Sequence, residues 1–239
     1  MKTFIYFLFY FSFQICFSKT VDINLLEKRN GLYYEAYSSI PFTGTTKGNA
    51  IGEIVRGKKE GKHIKYYNNG KILSKAYFKQ NNLHGNYLEF FQNGNTLTQK
   101  NYINGRIEGK VLDYYSMGQL LSEKSYKKGV LEGEYIDYYK NGQVQNKKFF
   151  KNGKLDGRHI SFHEYEFNIR EQIKTKSFYK NGKLEGDYFE FNEQGNLIGR
   201  SFYVNGKLEG IYYKYNKTST LIEKAFYKNG MLINLIKLN

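Results

Sequence analysis

The chain has 239 residues and a formal net charge of +15, and aromatic residues make up 18% of it. This aromatic content excludes an intrinsically disordered chain, because disordered chains lack the side chains that build a core. Its 24 glycines against a single proline are typical of short strands joined by tight glycine turns.

Residues 1–18 differ from the rest of the chain. Lys2 is followed by an apolar run from Phe4 to Phe17, and small residues precede a cleavage site after Ser18. This pattern predicts a secretory signal peptide, and an uncleaved anchor is the alternative. The run is shorter than the roughly 20 apolar residues that a membrane span needs. We therefore expect export to the periplasm, cell surface or medium, with neither a cysteine nor a transmembrane span in the mature chain.

From residue 57 to residue 233 the sequence repeats with a period of 24. We predict that residues 19–56 form an N-terminal lead-in or cap, that an insertion lies within residues 158–177, and that residues 234–239 form a tail. A fixed period in this range indicates a repeat architecture, in which each unit completes its core by stacking on the next. The repeat is marked by three columns of glycines: Gly57, Gly105, Gly129, Gly153, Gly182, Gly206 and Gly230; Gly61, Gly85, Gly109, Gly133, Gly157, Gly186 and Gly210; and Gly70, Gly94, Gly118, Gly142 and Gly195.

Each unit reads as two strands and two turns. Asn93-Gly94 lies between two runs rich in aromatic and β-branched residues, which predicts a two-residue type I′ hairpin turn. No segment has a convincing helical period. The fold class is therefore all-β: an elongated single-layer antiparallel meander of ~24-residue β-hairpin repeats.

The predicted turn assigns residues to the two faces of the sheet. It pairs Tyr87 with Lys100, Glu89 with Thr98 and Phe91 with Thr96 on one face. The other face pairs Leu88 with Gln99 and Phe90 with Leu97, and in other units it collects residues such as Ile136 and Tyr138. We expect this apolar face to be the core side, and the first face, where aromatics alternate with charges, to be open for binding.

The Gly-Lys-Leu-Glu-Gly segments and the recurring Tyr-Lys-Asn-Gly join resemble the MORN repeat family, specifically its variant form in bacteria. The resemblance covers about residues 57–233. It implies antiparallel hairpins without catalytic residues. It also implies roles as antitoxins or immunity partners of secreted toxins, as envelope proteins, or, in eukaryotic relatives, in lipid association and scaffolding.

The residues that could carry chemistry recur as parts of the repeat. The acid of the Leu-Glu-Gly segment returns in nearly every unit, whereas a catalytic pair is needed once, so we interpret it as a turn residue. His159 takes the place of the repeat tyrosine, as His63 does, and His84 replaces the turn acid. The four-residue spacing of His159 and His163 suits a metal only on a helix. We predict no catalytic residue, metal or cofactor.

Two functions follow from this pattern. The first is a non-enzymatic exported scaffold that binds a protein partner and acts as an antitoxin or immunity protein. The alternative is an envelope-associated protein that binds anionic lipid or polysaccharide through its basic face, and nucleic acid is the least favoured ligand. The candidate partner-binding residues are Tyr87, Phe91, Tyr115, Tyr135, Tyr139, Tyr188, Tyr212, Lys100, Lys124 and Lys148.

Overall fold

The structure, a computed structural model, describes residues 19–165 and 171–238. The predicted signal peptide and five residues of the predicted insertion lie outside this range. A short 3-10 helix spans Ile23–Leu25. The strands are β1 (Thr20–Asp22), β2 (Leu26–Arg29), β3 (Leu32–Glu35), β4 (Gly44–Lys47), β5 (Ala50–Val55), β6 (Lys58–Tyr66), β7 (Ile72–Lys79), β8 (Asn82–Phe90), β9 (Thr96–Ile103), β10 (Arg106–Ile107), β11 (Gly109–Tyr114), β12 (Leu120–Lys127), β13 (Val130–Tyr138), β14 (Val144–Lys151), β15 (Lys154–Phe162), β16 (Ile173–Lys180), β17 (Lys183–Leu184), β18 (Gly186–Phe191), β19 (Leu197–Val204), β20 (Lys207–Leu208), β21 (Gly210–Tyr215), β22 (Leu221–Lys228) and β23 (Met231–Lys237).

One sheet of 21 strands contains all of these except β2 and β3, which form a separate hairpin. From β4 onward the pairing is antiparallel, either between sequence neighbours, as in β6 with β7 and β13 with β14, or across a two-residue strand, as in β9 with β11. The predicted repeat meander is therefore confirmed. The parallel pairing of β1 with β4 was not predicted, and it makes the sheet mixed at its N-terminal end.

The sequence predicted a type I′ turn at the central Asn-Gly of each repeat. In the structure, the type I′ turns lie instead at the join between one repeat and the next. Both central residues have positive φ at Asn104-Gly105, with values of 49° and 79°, whereas at the predicted site Gly94 has a positive φ and Asn93 does not. Asn93 Oδ1 instead accepts a hydrogen bond from Asn95 N at 3.0 Å. Phe91 N bonds Asn95 O, which closes a three-residue loop with Gly94 in the left-handed position.

This longer loop changes the register close to the turn. The pairs Tyr87–Lys100, Leu88–Gln99 and Glu89–Thr98 are as predicted. A bulge between Glu89 and Phe90 then pairs Phe90 with Thr96, so the predicted partners of Phe90 and Phe91 are wrong. The same bulge recurs in the other hairpins, for example between Asp137 and Tyr138.

The burial of the two faces is the reverse of the prediction. We name the face that carries Tyr87 and Tyr135 the inner face, and the face that carries Ile136 and Tyr138 the outer face. The most buried positions of the repeats are small inner-face residues, with Ser122 and Ala225 each 2% exposed. The outer face holds exposed phenylalanines, among them Phe178 and Phe202. A single-layer sheet has no second layer to cover its apolar side, whereas small inner-face side chains lie beneath the long side chains of flanking strands.

Candidate functional site

The inner face presents one column of large rings along the sheet. At this position successive repeats carry His63, Tyr87, Val111, Tyr135, His159, Tyr188 and Tyr212. Five of these rings pack against an aromatic residue of the next strand: for example, Tyr87 lies 5.9 Å from Tyr102, and Tyr188 lies 6.0 Å from Tyr203, centre to centre. The four predicted tyrosines of this column are half-buried. His63 and His159 occupy the places that the sequence predicted for them.

The predicted lysines flank this column and are engaged within the chain. Lys124 lies 2.7 Å from Asp113, and Lys148 lies 2.6 Å from Asp137. The two ammonium groups also lie 5.3 Å and 4.7 Å from the centre of the Tyr135 ring. Burial, together with the nearby Asp137 carboxylate, raises the pKa of Tyr135 to about 12. These lysines therefore neutralise neighbouring acids, and their charge is largely matched inside the sheet.

Two further groups on the inner face, around Lys100 and around Asp113, extend this arrangement of lysines and acids. Lys100 lies 5.6 Å from the centre of the Tyr87 ring, and Tyr87 donates to Glu89 at 3.0 Å. Burial raises the pKa of the Asp113 carboxyl, but hydrogen bonds from Lys124 and from hydroxyl groups outweigh burial and hold the pKa below its ordinary value. The lysines and acids thus occupy the same three consecutive repeats, where Lys124 and Lys148 each contact an acid and Lys100 contacts the Tyr87 ring.

The remaining predicted aromatics belong to a second column at the end of each hairpin, and they join repeats together. In this column the tyrosine hydroxyls donate to a backbone carbonyl of the next repeat, and Phe91 is the one of the predicted residues here that lacks a hydroxyl. Sequence reasoning missed that His163 stands in this column and makes the equivalent contact. The bonds join Tyr67 to Phe90 (2.6 Å), Tyr115 to Tyr138 (2.9 Å), Tyr139 to Phe162 (2.9 Å) and His163 to Phe191 (2.8 Å).

The acid column stabilises turns, as the sequence predicted. Each carboxylate accepts a hydrogen bond from the backbone N–H of the first residue of a type I′ turn. His84 takes the same place and lies 3.4 Å from Asn104 N, which is a longer contact. The carboxylate bonds are Glu60 to Gln80 (2.9 Å), Glu108 to Lys128 (2.6 Å), Glu132 to Asn152 (2.6 Å), Asp156 to Asn181 (2.9 Å), Glu185 to Asn205 (2.8 Å) and Glu209 to Asn229 (2.7 Å).

The outer face carries a surface that the sequence analysis assigned to the core. Phe149, Phe178 and Phe202 occupy the same position in consecutive repeats, and each is 44–45% exposed. A basic residue lies two positions before each of them, so Lys176 and Arg200 share this face. We name these three phenylalanines and their basic neighbours the phenylalanine row.

Grooves separate successive members of the phenylalanine row. One groove of about 530 Å³ is lined by Arg158, Lys176, Phe178 and other residues. The next repeat has an equivalent groove of about 330 Å³, lined by Arg200 and Phe202 among others. The signal for this surface was in the sequence, as the recurrence of Phe two residues after Lys or Arg.

In the part of the chain that the structure describes, no helix is long and apolar enough to cross a membrane. A search for curated proteins of similar sequence found no match. A family model described as the MORN repeat variant matches residues 59–80, 83–104, 107–128, 131–152 and 184–205. Each match runs from the start of one hairpin repeat to the type I′ turn that follows it. Repeats of this kind are generally binding scaffolds, and the repeats of this chain belong to the MORN repeat variant family.

Proposed function

We propose that this chain is a non-enzymatic scaffold that binds a protein partner along the phenylalanine row. The observation that carries the proposal is the exposure of three phenylalanines at repeat spacing. Exposed apolar side chains that form a contiguous patch mark interaction surfaces, and aromatic residues and arginine are enriched in the centres of such surfaces.

The chemistry of the row defines the partner. Strands lie about 4.8 Å apart, so equivalent residues of successive repeats are roughly 9.6 Å apart. A partner with apolar side chains at that spacing would fill the grooves beside Phe178 and Phe202. Lys147 and Arg200 border the row but lie 4.0 Å from Glu171 and 3.2 Å from Asp187, so Lys176 is the neighbour that would favour acidic groups on the partner. The ten candidate residues named from the sequence stay predicted contacts, but the half-burial of the four tyrosines in the inner-face column favours the outer row.

Export and an immunity role complete the proposal. The apolar segment from Phe4 to Phe17 supports export, and mass spectrometry of the exported protein tests it by showing whether the chain starts at Lys19. The resemblance to bacterial MORN variants makes a secreted toxin one partner of this kind. Cross-linking in the native cell followed by mass spectrometry identifies that partner.

The binding test compares two outer-face substitutions of equal exposure. Tyr77 is 44% exposed and stands in the same column as Phe178, but Asn101 and Ser125 follow it in the next two repeats, so it stands apart from any row. Changing Phe178 and Phe202 together to Ser should weaken binding of the identified partner by at least about tenfold. Tyr77→Ser should leave binding unchanged. Equal effects at both places, or a loss only with Tyr87→Ala, would contradict the outer row.

The alternative is an anionic lipid or polysaccharide ligand, and the basic residues of the same face favour it. Lys147, Lys176, Arg200 and Lys224 follow one another along four repeats. Attraction between exposed charges fades over a Debye length of about 8 Å at physiological salt. Binding to vesicles rich in phosphatidylserine that disappears with added salt and with Lys176→Glu, but survives the double phenylalanine change, would support this ligand class instead.

A further inference from the structure

The last strand of the sheet, β23, has an open apolar edge. β23 pairs with β22 on one side, and in the described part of the chain no strand pairs with its other side. By contrast, β21, which has the same place in the preceding repeat, pairs with β19 and with β22. Within the described residues, β23 therefore has a neighbour on one side, whereas β21 has neighbours on both sides.

The side chains of β23 are unusual for an exposed edge. Leu232 is 53% exposed and Ile233 is 64% exposed, and Ile233 replaces the turn acid that earlier repeats carry. Leu235 lies opposite Ala225 on the inner face, while Ile236 lies opposite Lys224 on the outer face. Both sides of the edge are thus apolar. Exposed edges are normally protected by charged residues or proline, because free N–H and C=O groups otherwise recruit another strand.

The ladder shows which backbone groups are free. Leu238 N donates to Ile222 O at 2.8 Å, and hydrogen-bonded pairs alternate along an antiparallel ladder. Leu235, three residues earlier, therefore directs its N–H and C=O away from β22. Asn234 Oδ1 accepts from this Leu235 N–H at 2.8 Å. The outward donor is covered only by the side chain of its own neighbour, which a partner strand can displace.

From these observations we infer that two copies of this chain pair through β23 in antiparallel fashion, to give a two-fold symmetric dimer with one continuous sheet. Antiparallel pairing is the arrangement that β22 offers to β21, so the second copy supplies what each earlier repeat has. Two-fold symmetry is the commonest arrangement of homo-oligomers.

Charge favours the same geometry. Lys237 is the charged residue of the segment Met231–Lys237. An antiparallel arrangement centred on the strand separates the two Lys237 residues by roughly 20 Å, from about 3.4 Å per residue, which exceeds the Debye length. A parallel arrangement would place them side by side. The segment carries no feature that selects a charged partner, and a second copy offers an apolar edge of the same length.

The test measures the oligomeric state of the purified full chain by sedimentation over a range of concentrations, with two substitutions that act in opposite directions. Leu235→Pro removes the outward N–H and spares the bonds to β22, and proline is accepted on the outer side of an edge strand. Because both copies carry the substitution, it removes two hydrogen bonds from the symmetric dimer. The dimer should therefore dissociate at least about tenfold more readily. Asn234→Ala removes the competing acceptor and should strengthen the dimer by about two- to tenfold.

Two further measurements separate this dimer from other association. Single cysteines placed in turn at residues 232 to 236, in a Cys16→Ser background, should form an intermolecular disulfide most readily at one position and its diagonal neighbours, since directly opposed Cβ atoms lie about 5 Å apart. The double change of Phe178 and Phe202 to Ser should leave the dimer intact. A monomer at all concentrations would overturn the inference. So would a dimer that Leu235→Pro leaves unchanged, or one with no cross-link along β23.

Discussion

Tyr139 and Phe91 occupy the same position in two repeats, and one hydroxyl group distinguishes them. Tyr139 donates to Phe162 O at 2.9 Å, and Phe162 is only 5% exposed. Phe91 has the same backbone contact, because Phe91 N bonds Asn95 O just as Tyr139 N bonds Gln143 O, both at 2.8 Å. The reciprocal substitutions Tyr139→Phe and Phe91→Tyr therefore remove and add one hydrogen bond between repeats while each keeps its ring.

The expected size follows from the value of one neutral hydrogen bond. Tyr139→Phe should lower the free energy of unfolding by about 1 kcal/mol, and Phe91→Tyr should raise it by a similar amount by donating to the Tyr114 carbonyl oxygen. In a chain of this length such a change moves the melting temperature by about 2–4 °C. Urea denaturation of both single variants and of the double variant measures these changes.

Additivity provides the control. The two positions lie in separate repeats that are not adjacent, so the double variant should return close to the stability of the original chain. The reasoning would be refuted if Phe91→Tyr destabilised the chain as much as Tyr139→Phe, because the hydroxyl would then have no acceptor in the next repeat. It would also be refuted if neither change moved the midpoint.

Three other predictions concern the faces, the turns and the inner-face ionisation. Tyr135→Ala should cost about 2 kcal/mol and Tyr138→Ala about half of that, because Tyr135 packs under two lysines and against Phe150; equal melting temperatures would mean that the faces are buried alike. Glu132→Ala should cost about 1 kcal/mol by removing the acceptor of the turn N–H, while His84→Glu should stabilise its turn, and thermal melts of both show whether the signs are opposite. Because the folded-state pKa of Tyr135 is about 12 and its unfolded value is about 10, its contribution to stability is complete below pH 10 and is lost as the pH rises toward 12. Denaturation midpoints across this range should fall less steeply in Tyr135→Phe, and identical slopes would contradict the assignment.

Short-range patterns in the sequence were sufficient to predict the repeat and most of the strand register between β8 and β9. The 24-residue glycine period, the pairing of Tyr87 with Lys100 and the turn role of the acids all follow from short-range patterns, and all are confirmed. The turn type could not be predicted in this way, because Asn-Gly occurs at both joins. What distinguishes the joins is the acid of the preceding repeat, which bonds the N–H of a residue in the left-handed conformation, such as Asn152.

The choice of buried face failed for a different physical reason. The rule that apolar side chains lie inside assumes a second layer that covers them. In this sheet the inner face is covered instead by its own long side chains, so that Ser122 is buried beside Asp113, whose carboxylate Lys124 also binds. The ion pair itself lies within one strand pair, but Thr98 of a third strand also donates to Asp113, and a single strand pair read from the sequence does not contain that contact.

The bonds between repeats have a consequence for how the chain assembles. Glu132 accepts a hydrogen bond from a backbone N–H that lies 20 residues further on, and Tyr139 donates one to a carbonyl oxygen 23 residues further on. Each folded hairpin therefore already presents the side chains that hydrogen-bond the backbone of the next hairpin. These bonds join neighbouring repeats and do not need a distant part of the chain. Short sequence separation favours fast folding. A chain built in this way can acquire its structure progressively, one hairpin at a time, as it emerges from a ribosome or a membrane channel.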